Sequence, residues 1–161
     1  MRAEVAFWPG SSGGVRRFCE AAGMTCDLQA LGNIPGLSTI PVHIMTTSLR
    51  PDIVLYSNEK KKLVFLELTV PMERYIADRH KTKIDRYTAL TDECQLAGWE
   101  THNFAIEVGV TGMLSSFFQS AFSRLGTPKH LKARLYEQTA RSALYCSYVI
   151  FLHRKDLVWT L

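Results

Sequence analysis

Two apolar runs, residues 53–56 and 63–68, flank the polar stretch Ser57-Asn58-Glu59-Lys60-Lys61 and constrain the fold more than any other feature. Their β-branched, aromatic and aliphatic residues predict two strands, and the stretch between them is a turn signal. A hairpin centred on Glu59-Lys60 opposes Ile53 to Leu66, Val54 to Phe65 and Leu55 to Val64. Alternation places Val54, Tyr56, Leu63 and Phe65 on one face, and Ile53, Leu55, Val64, Leu66 and Leu68 on the other. Neither face is polar. A strand pair of that kind is covered on both sides, which predicts an α/β layered domain rather than a half-exposed sheet.

The same register opposes Asp52 to Glu67, the two carboxylates of the strand arms, on the face that carries Thr69. Directly opposed residues have Cβ atoms roughly 5 Å apart, and like charges placed there destabilise a sheet. The pair therefore needs a counter-charge, shared protons or a divalent cation, unless it forms a solvated strand end with both groups in water. A hard cation such as Mg²⁺ takes one or two carboxylates together with waters and substrate phosphates. The pattern is compatible with either arrangement.

Residues 72–97 contain neither Pro nor Gly and predict the best helix of the chain, with Pro71 in its first turn, Glu73 favouring the dipole and Gly98 as its stop. Its inward stripe runs Ile76, His80, Lys83, Tyr87, Leu90, Cys94, Ala97 at packed-face spacing. Lys83 in mid-stripe either snorkels outward or holds its ammonium toward a polar pocket, which the carboxylate pair would supply. Residues 102–110 predict a third strand, with Phe104, Ile106, Val108 and Val110 alternating against Asn103, Ala105 and Glu107, and with Gly109 and Gly112 at its end. Glu107 is expected to pair structurally with a helix lysine. Two helices follow, over 113–125 and 129–153, separated by Gly126-Thr127-Pro128. The last offers Leu131, Leu135, Ala143, Cys146, Val149 and Ile150 for burial.

Upstream, residues 42–47 are β-prone, 26–31 read as a short strand and 32–41 as irregular. Residues 1–23, with Pro9-Gly10-Ser11-Ser12-Gly13-Gly14, read as a flexible segment. No repeat or linker divides the rest, so residues 24–161 are expected to form one domain with its core at about 42–125. A length of 161 residues with 47% hydrophobic content suffices for a single core. A charged fraction of 21% without low-complexity tracts argues against global disorder. The net charge of +4 permits a nucleic-acid partner without requiring one.

Cys19, Cys26, Cys94 and Cys146 lack C-x-x-C or zinc-site spacing, and no signal peptide is visible, so they read as reduced thiols of an intracellular protein. The longest apolar run, 143–152, contains Ser147 and falls short of the ~20 residues of a membrane span. No membrane partner is expected. Neither a phosphate-binding glycine loop nor a nucleophile elbow supports a small-molecule α/β enzyme.

The order Pro51-Asp52, hairpin turn, Glu67-Leu68-Thr69, helix and strand resembles the signature of the PD-(D/E)XK nuclease superfamily. Leu49-Arg50-Pro51-Asp52-Ile53-Val54-Leu55, Glu67-Leu68-Thr69-Val70-Pro71 with Glu73, the stretch from Cys94 to Trp99, and Glu107-Val108-Gly109 with Gly112 resemble more narrowly the restriction-like endonuclease domains of non-LTR retrotransposons. The resemblance runs from about Val42 to the end, where His153-Arg154-Lys155 and Trp159 match a basic, tryptophan-containing tail. It covers residues 1–41 poorly.

The resemblance implies a restriction-endonuclease-like central mixed β-sheet flanked by helices, with a helical C-terminal extension, and nicking of DNA with Mg²⁺, or Mn²⁺, as cofactor. It implies Asp52 and Glu67 as metal carboxylates, with the Leu68 backbone carbonyl as a further ligand. Thr69 stands where the superfamily usually has lysine; in the retrotransposon-like group the lysine comes from the following helix, where Lys83 matches, with Tyr87 as its aromatic neighbour. Arg50, Lys81 and Arg86 are the candidate phosphate contacts, each equally readable as surface charge. The family also implies a nuclear location and a reverse transcriptase module in the parent element. Met72, Arg86 and Val110-Thr111 depart from the family pattern, which leaves a catalytically inactive nucleic-acid-binding remnant as the alternative. Asp52 and Glu67 are expected to be removable at little cost in stability.

Overall fold

The computed structural model describes residues 29–32 and 40–155. The expected flexible segment over 1–23 and the tail tryptophan Trp159 lie outside the described residues. Residues 29–32 form strand β1 (Gln29–Gly32), which takes in positions 29–31 of the short strand expected over 26–31; positions 26–28 fall outside the described residues. The hairpin is strands β2 (Ile53–Ser57) and β3 (Lys62–Thr69). Its register is the one set by centring the turn: Ile53 pairs with Leu66, Val54 with Phe65 and Leu55 with Val64.

Strand β3 is the centre of the molecule. It pairs antiparallel with β2 on one edge and parallel with β4 (Glu100–Glu107) on the other, giving a mixed sheet of order β1-β2-β3-β4. A parallel neighbour requires a crossover, and helix α1 (Ile76–Leu96) supplies it after a single 3₁₀ turn at Glu73–Tyr75. The α-helix thus begins four residues later than Met72. It ends as expected. Gly98 takes φ +85°, the Gly98 N–H donates to the Gln95 carbonyl and the Trp99 N–H to the Cys94 carbonyl, the paired bonds of a Schellman motif. Ala97, assigned to the inward stripe, caps the helix and is exposed.

Both faces of the sheet are covered, so the α/β layering read from the two apolar faces is observed. Val54, Tyr56, Leu63 and Phe65 pack with Tyr87, Leu90 and Cys94 of α1, with Trp99, and with Ile40 and Ile44. Leu55, Val64, Leu66, Phe104 and Ile106 pack on the opposite side with Phe118 and Phe122 of α2 (Ser116–Arg124) and Ala143 of α3 (Lys129–Leu152).

Two local expectations are corrected. Residues 42–47 are not a strand: the Ile44 N–H donates to the Pro41 carbonyl in a turn that buries Ile40 and Ile44 together, four residues apart. Strand β4 spans Glu100–Glu107 rather than 102–110. Beyond Glu107 the chain closes on itself: Val108 makes an isolated bridge with Leu114, and the Gly112 N–H donates to the Gly109 carbonyl.

Gly112 holds φ +86°, and a Cβ built there would lie 2.5 Å from the Ala140 carbonyl oxygen of α3. The left-handed backbone and the close approach both demand glycine. Gly112→Ala is therefore expected to lower unfolding free energy by about 2–4 kcal/mol in urea titrations; a change under about 0.5 kcal/mol would show that α3 yields freely at this contact.

Candidate active site

Polar groups gather where β3 and its parallel partner β4 reach their carboxyl ends, the position at which open α/β sheets place their ligands. On the α1 side of β3 the residues run Leu63, Phe65, Glu67, Thr69, so an apolar face turns polar over its last two positions. Glu67 is 1% exposed. A carboxylate so buried needs compensating donors. Lys83 reaches down from α1 and donates from Nζ to Glu67 Oε2 at 2.6 Å, while the Asp52 N–H donates to Glu67 Oε1 at 2.8 Å. The Leu68 N–H in turn donates to Asp52 Oδ2 at 2.9 Å. Each carboxylate thus accepts from a backbone N–H of the opposite arm, Glu67 from Asp52 and Asp52 from Leu68, just past the last ladder pair, Ile53–Leu66.

Of the two alternatives for Lys83, the inward one is observed; its side chain is 21% exposed and paired. Of those for the carboxylates, a solvated strand end is not what forms. The Asp52 carboxyl is pushed above its ordinary 3.8 by burial and by the Glu67 charge beside it, against the opposing pull of the Leu68 N–H, Lys83 and Arg86. Tyr87 is buried beneath, its hydroxyl donating to the Arg50 carbonyl at 3.0 Å. Burial, with Glu67 nearby, pushes that phenol far above its ordinary range. It stays a neutral donor to that carbonyl.

The candidate phosphate contacts are distributed unequally. Arg86 lies near enough to influence Asp52 and sits over the Tyr87 ring at 5.5 Å. Arg50 is exposed, with its backbone tied to Tyr87. Lys81 extends into solvent and pairs with Asp85 at 2.7 Å, so it is not brought to the carboxylates.

A second cluster was not foreseen. Glu107, buried on β4, is paired not with a helix lysine but with His80, whose Nδ1 lies 3.0 Å from Glu107 Oε1. The Ser115 hydroxyl lies 3.4 Å from Glu107 Oε2 and also caps α2 by accepting from the Phe118 N–H. His80 stacks on Phe117 with ring centroids 3.6 Å apart. Burial pushes the Glu107 carboxyl up, opposed by His80 and Ser115. The signal was present in part, since His80 stands on the inward stripe and Glu107 on the same sheet face, but their pairing depends on the β3–β4 register. A depression of about 230 Å³, lined among others by Thr88, Asp92 and Asn103, includes none of these groups.

For a cation, Asp52, Glu67 and the Leu68 carbonyl offer oxygen donors suited to a hard ion. Thr69 Oγ1, on the Glu67 face, is buried without a hydrogen-bond partner among the described residues. Against this, Lys83 already engages Glu67, and among the described residues no group of three or more His, Cys, Asp or Glu side chains is placed to hold a metal ion. No helix among them is long and apolar enough to cross a membrane. Of the four cysteines, Cys94 is a buried and Cys146 an exposed free thiol, while Cys19 and Cys26 lie outside the described residues.

No protein-family model matches the chain, and no curated protein matches it.

Glu67 is a structural hub, which revises the expectation that it can be lost cheaply. Lys83→Met strands a buried charge and is expected to cost about 2–4 kcal/mol, the cost of a broken buried pair reduced for the partial exposure of Lys83. Adding Glu67→Gln should restore most of it; urea titration of both variants checks this, and equal losses would remove the pair from the stabilising interactions. Asp52 behaves oppositely. Its raised folded value means that stability falls as pH rises from 3.8 through that value. Asp52→Asn is therefore expected to stabilise the fold at pH 7, with the gap closing below pH 3.8. A variant less stable than the parent at pH 7 would refute the argument from burial and the neighbouring Glu67 charge.

Proposed function

We propose that the chain is a restriction-endonuclease-like, metal-dependent DNA-nicking domain of the kind carried by non-LTR retrotransposons, acting on nuclear DNA alongside a reverse transcriptase module. The observation that carries the reading is the convergence of Asp52, Glu67 and Lys83 at the carboxyl end of β3, with lysine supplied from α1 and Thr69 at the strand position. A divalent cation held by Asp52, Glu67 and the Leu68 carbonyl would supply positive charge to a phosphodiester and make water more acidic. The chain's own groups do the rest. Lys83 pairs with Glu67 and presents an ammonium where charge builds as water attacks phosphorus and the ester oxygen leaves. Tyr87 fixes the Arg50 backbone, and with it the approach to Asp52. Arg86 contributes positive potential beside Asp52.

A second reading, a nucleic-acid-binding remnant without turnover, is favoured by one observation: Lys83 itself neutralises Glu67, at 2.6 Å, and lessens the need for a cation there.

Nicking of supercoiled plasmid with Mg²⁺ or Mn²⁺ separates the two. Wild type is expected to nick and EDTA to stop it, while Asp52→Asn, the variant expected to stay folded, loses activity by at least ~100-fold. Equal nicking by Asp52→Asn would mark a contaminant and sink the nuclease reading. DNA binding by folded wild type without nicking would establish the remnant.

A further inference from the structure

Two buried carboxylates stand on neighbouring strands beneath α1, and the helix meets them with different side chains. Glu67 on β3 pairs with Lys83, and Glu107 on β4, 0% exposed, pairs with His80. The β3–β4 register sets Glu107 opposite Thr69, the residue that follows Glu67 on the face turned to α1. His80 precedes Lys83 by three positions, which puts their Cβ atoms about 5–6 Å apart on one helix face. The histidine therefore stands beside the ammonium, in the same polar row as the carboxylates.

A buried carboxylate that needs only a counter-charge is served by lysine, as Glu67 is. Imidazole adds a second nitrogen that can take up and release a proton. Here the ring is held on two sides. Nδ1 lies 3.0 Å from Glu107 Oε1, and the ring face stacks on Phe117 with centroids 3.6 Å apart and planes 10° apart. Glu107 is held in turn: the Ser115 oxygen accepts from the Phe118 N–H and directs its own proton to Glu107 Oε2, 3.4 Å away. A carboxylate on Nδ1 fixes the neutral ring with its proton on Nδ1 and its lone pair on Nε2. Nε2 has no hydrogen-bond partner among the described residues, and the side chain is 24% exposed. A base presented in this way by an orienting carboxylate is the arrangement that activates a nucleophile.

We propose that His80 is the general base of the site, taking a proton from the attacking water at Nε2 while Glu107 positions the ring. The role rests on the nuclease reading. As the water oxygen bonds to phosphorus, its proton passes to Nε2, and Glu107 stabilises the imidazolium across Nδ1. The bond from phosphorus to the ester oxygen breaks, its electron pair leaves with that oxygen, and the oxygen takes a proton from solvent. The imidazolium then returns its proton to solvent. Lys83, beside it, meets the charge on the phosphate.

His80→Asn tests the role, because its amide N–H stands near the place of Nδ1 and keeps the bond to Glu107 while Nε2 is gone. In the plasmid assay with Mg²⁺ it is expected to lower kcat at least ~100-fold at unchanged KM, with wild-type circular dichroism and urea stability. In the wild type, imidazole nitrogen NMR is expected to place the neutral ring's proton on Nδ1, and the His80 titration to coincide with the acidic limb of the kcat profile against pH. The charged groups that bear on that titration are Glu107 from β4 and Lys83 on α1 itself; α2 presents Phe117 and Ser115, and β3 presents Thr69 and the Glu67 already paired. Nicking by His80→Asn within about threefold of wild type, a neutral-ring proton on Nε2, or an acidic limb apart from the His80 titration overturns the role and leaves the nuclease reading standing. A folded wild type that does not nick overturns both.

Discussion

Strand β3 is hydrogen-bonded on both edges and covered on both faces, and every other element is disposed by that circumstance. A strand so enclosed has almost no free surface on which to place a charge, yet it carries Glu67 at 1% exposure. The fold meets this with two donors drawn from its neighbours, an ammonium from the crossover helix and an amide from β2's leading edge, while Leu68 donates in turn to Asp52. The position of α1 over the sheet is thus fixed at one end by apolar packing around Tyr87, Leu90 and Cys94, and at the other by electrostatics. His80 and Glu107 repeat the device one turn away, where β4 runs parallel to β3. The result is a polar row along one end of an otherwise apolar interface.

What was legible in the sequence is what short-range rules govern. The hairpin register followed from a turn of polar residues between two apolar runs, and the layering followed from the absence of a polar face. The end of α1 followed from Gly98, whose left-handed backbone completes a local pattern of bonds. Helical periodicity put the Lys83 cation on an apolar stripe but left open whether it turned outward or toward the carboxylates. The failures have equally physical causes. Residues 42–47 have strand-forming side chains, but Pro41 begins a turn there, and burial of Ile40 and Ile44 four positions apart is satisfied without extended backbone. The far end of β4 continues the apolar alternation through Val110, yet the Gly109–Gly112 hydrogen bond bends the chain away from the sheet. The pairing of Glu107 with His80 depends on parallel register between strands separated by a whole helix. No local rule contains that information.

Electrostatic balance divides the two carboxylates that the sequence treated as equals. Glu67 is compensated by direct bonds, while Asp52 carries its burial, and then the Glu67 charge beside it, as a raised affinity for protons. The two acidic groups thus share one site in unequal surroundings, Glu67 buried and bonded, Asp52 partly open. This asymmetry also sets apart the contribution of the sheet, which brings the groups together, from that of α1, which makes their proximity tolerable.

The principal charged constellation, from Arg50 through Asp52 and Glu67 to Lys83 and Tyr87, is drawn from one short span of chain. The clasp and the Lys83–Glu67 pair join residues 15 or 16 positions apart, while the Tyr87–Arg50 bond, at 37, reaches as far along the chain as the β3–β4 pairing does. Insertions or losses far from this span would alter what surrounds the site without dismantling it.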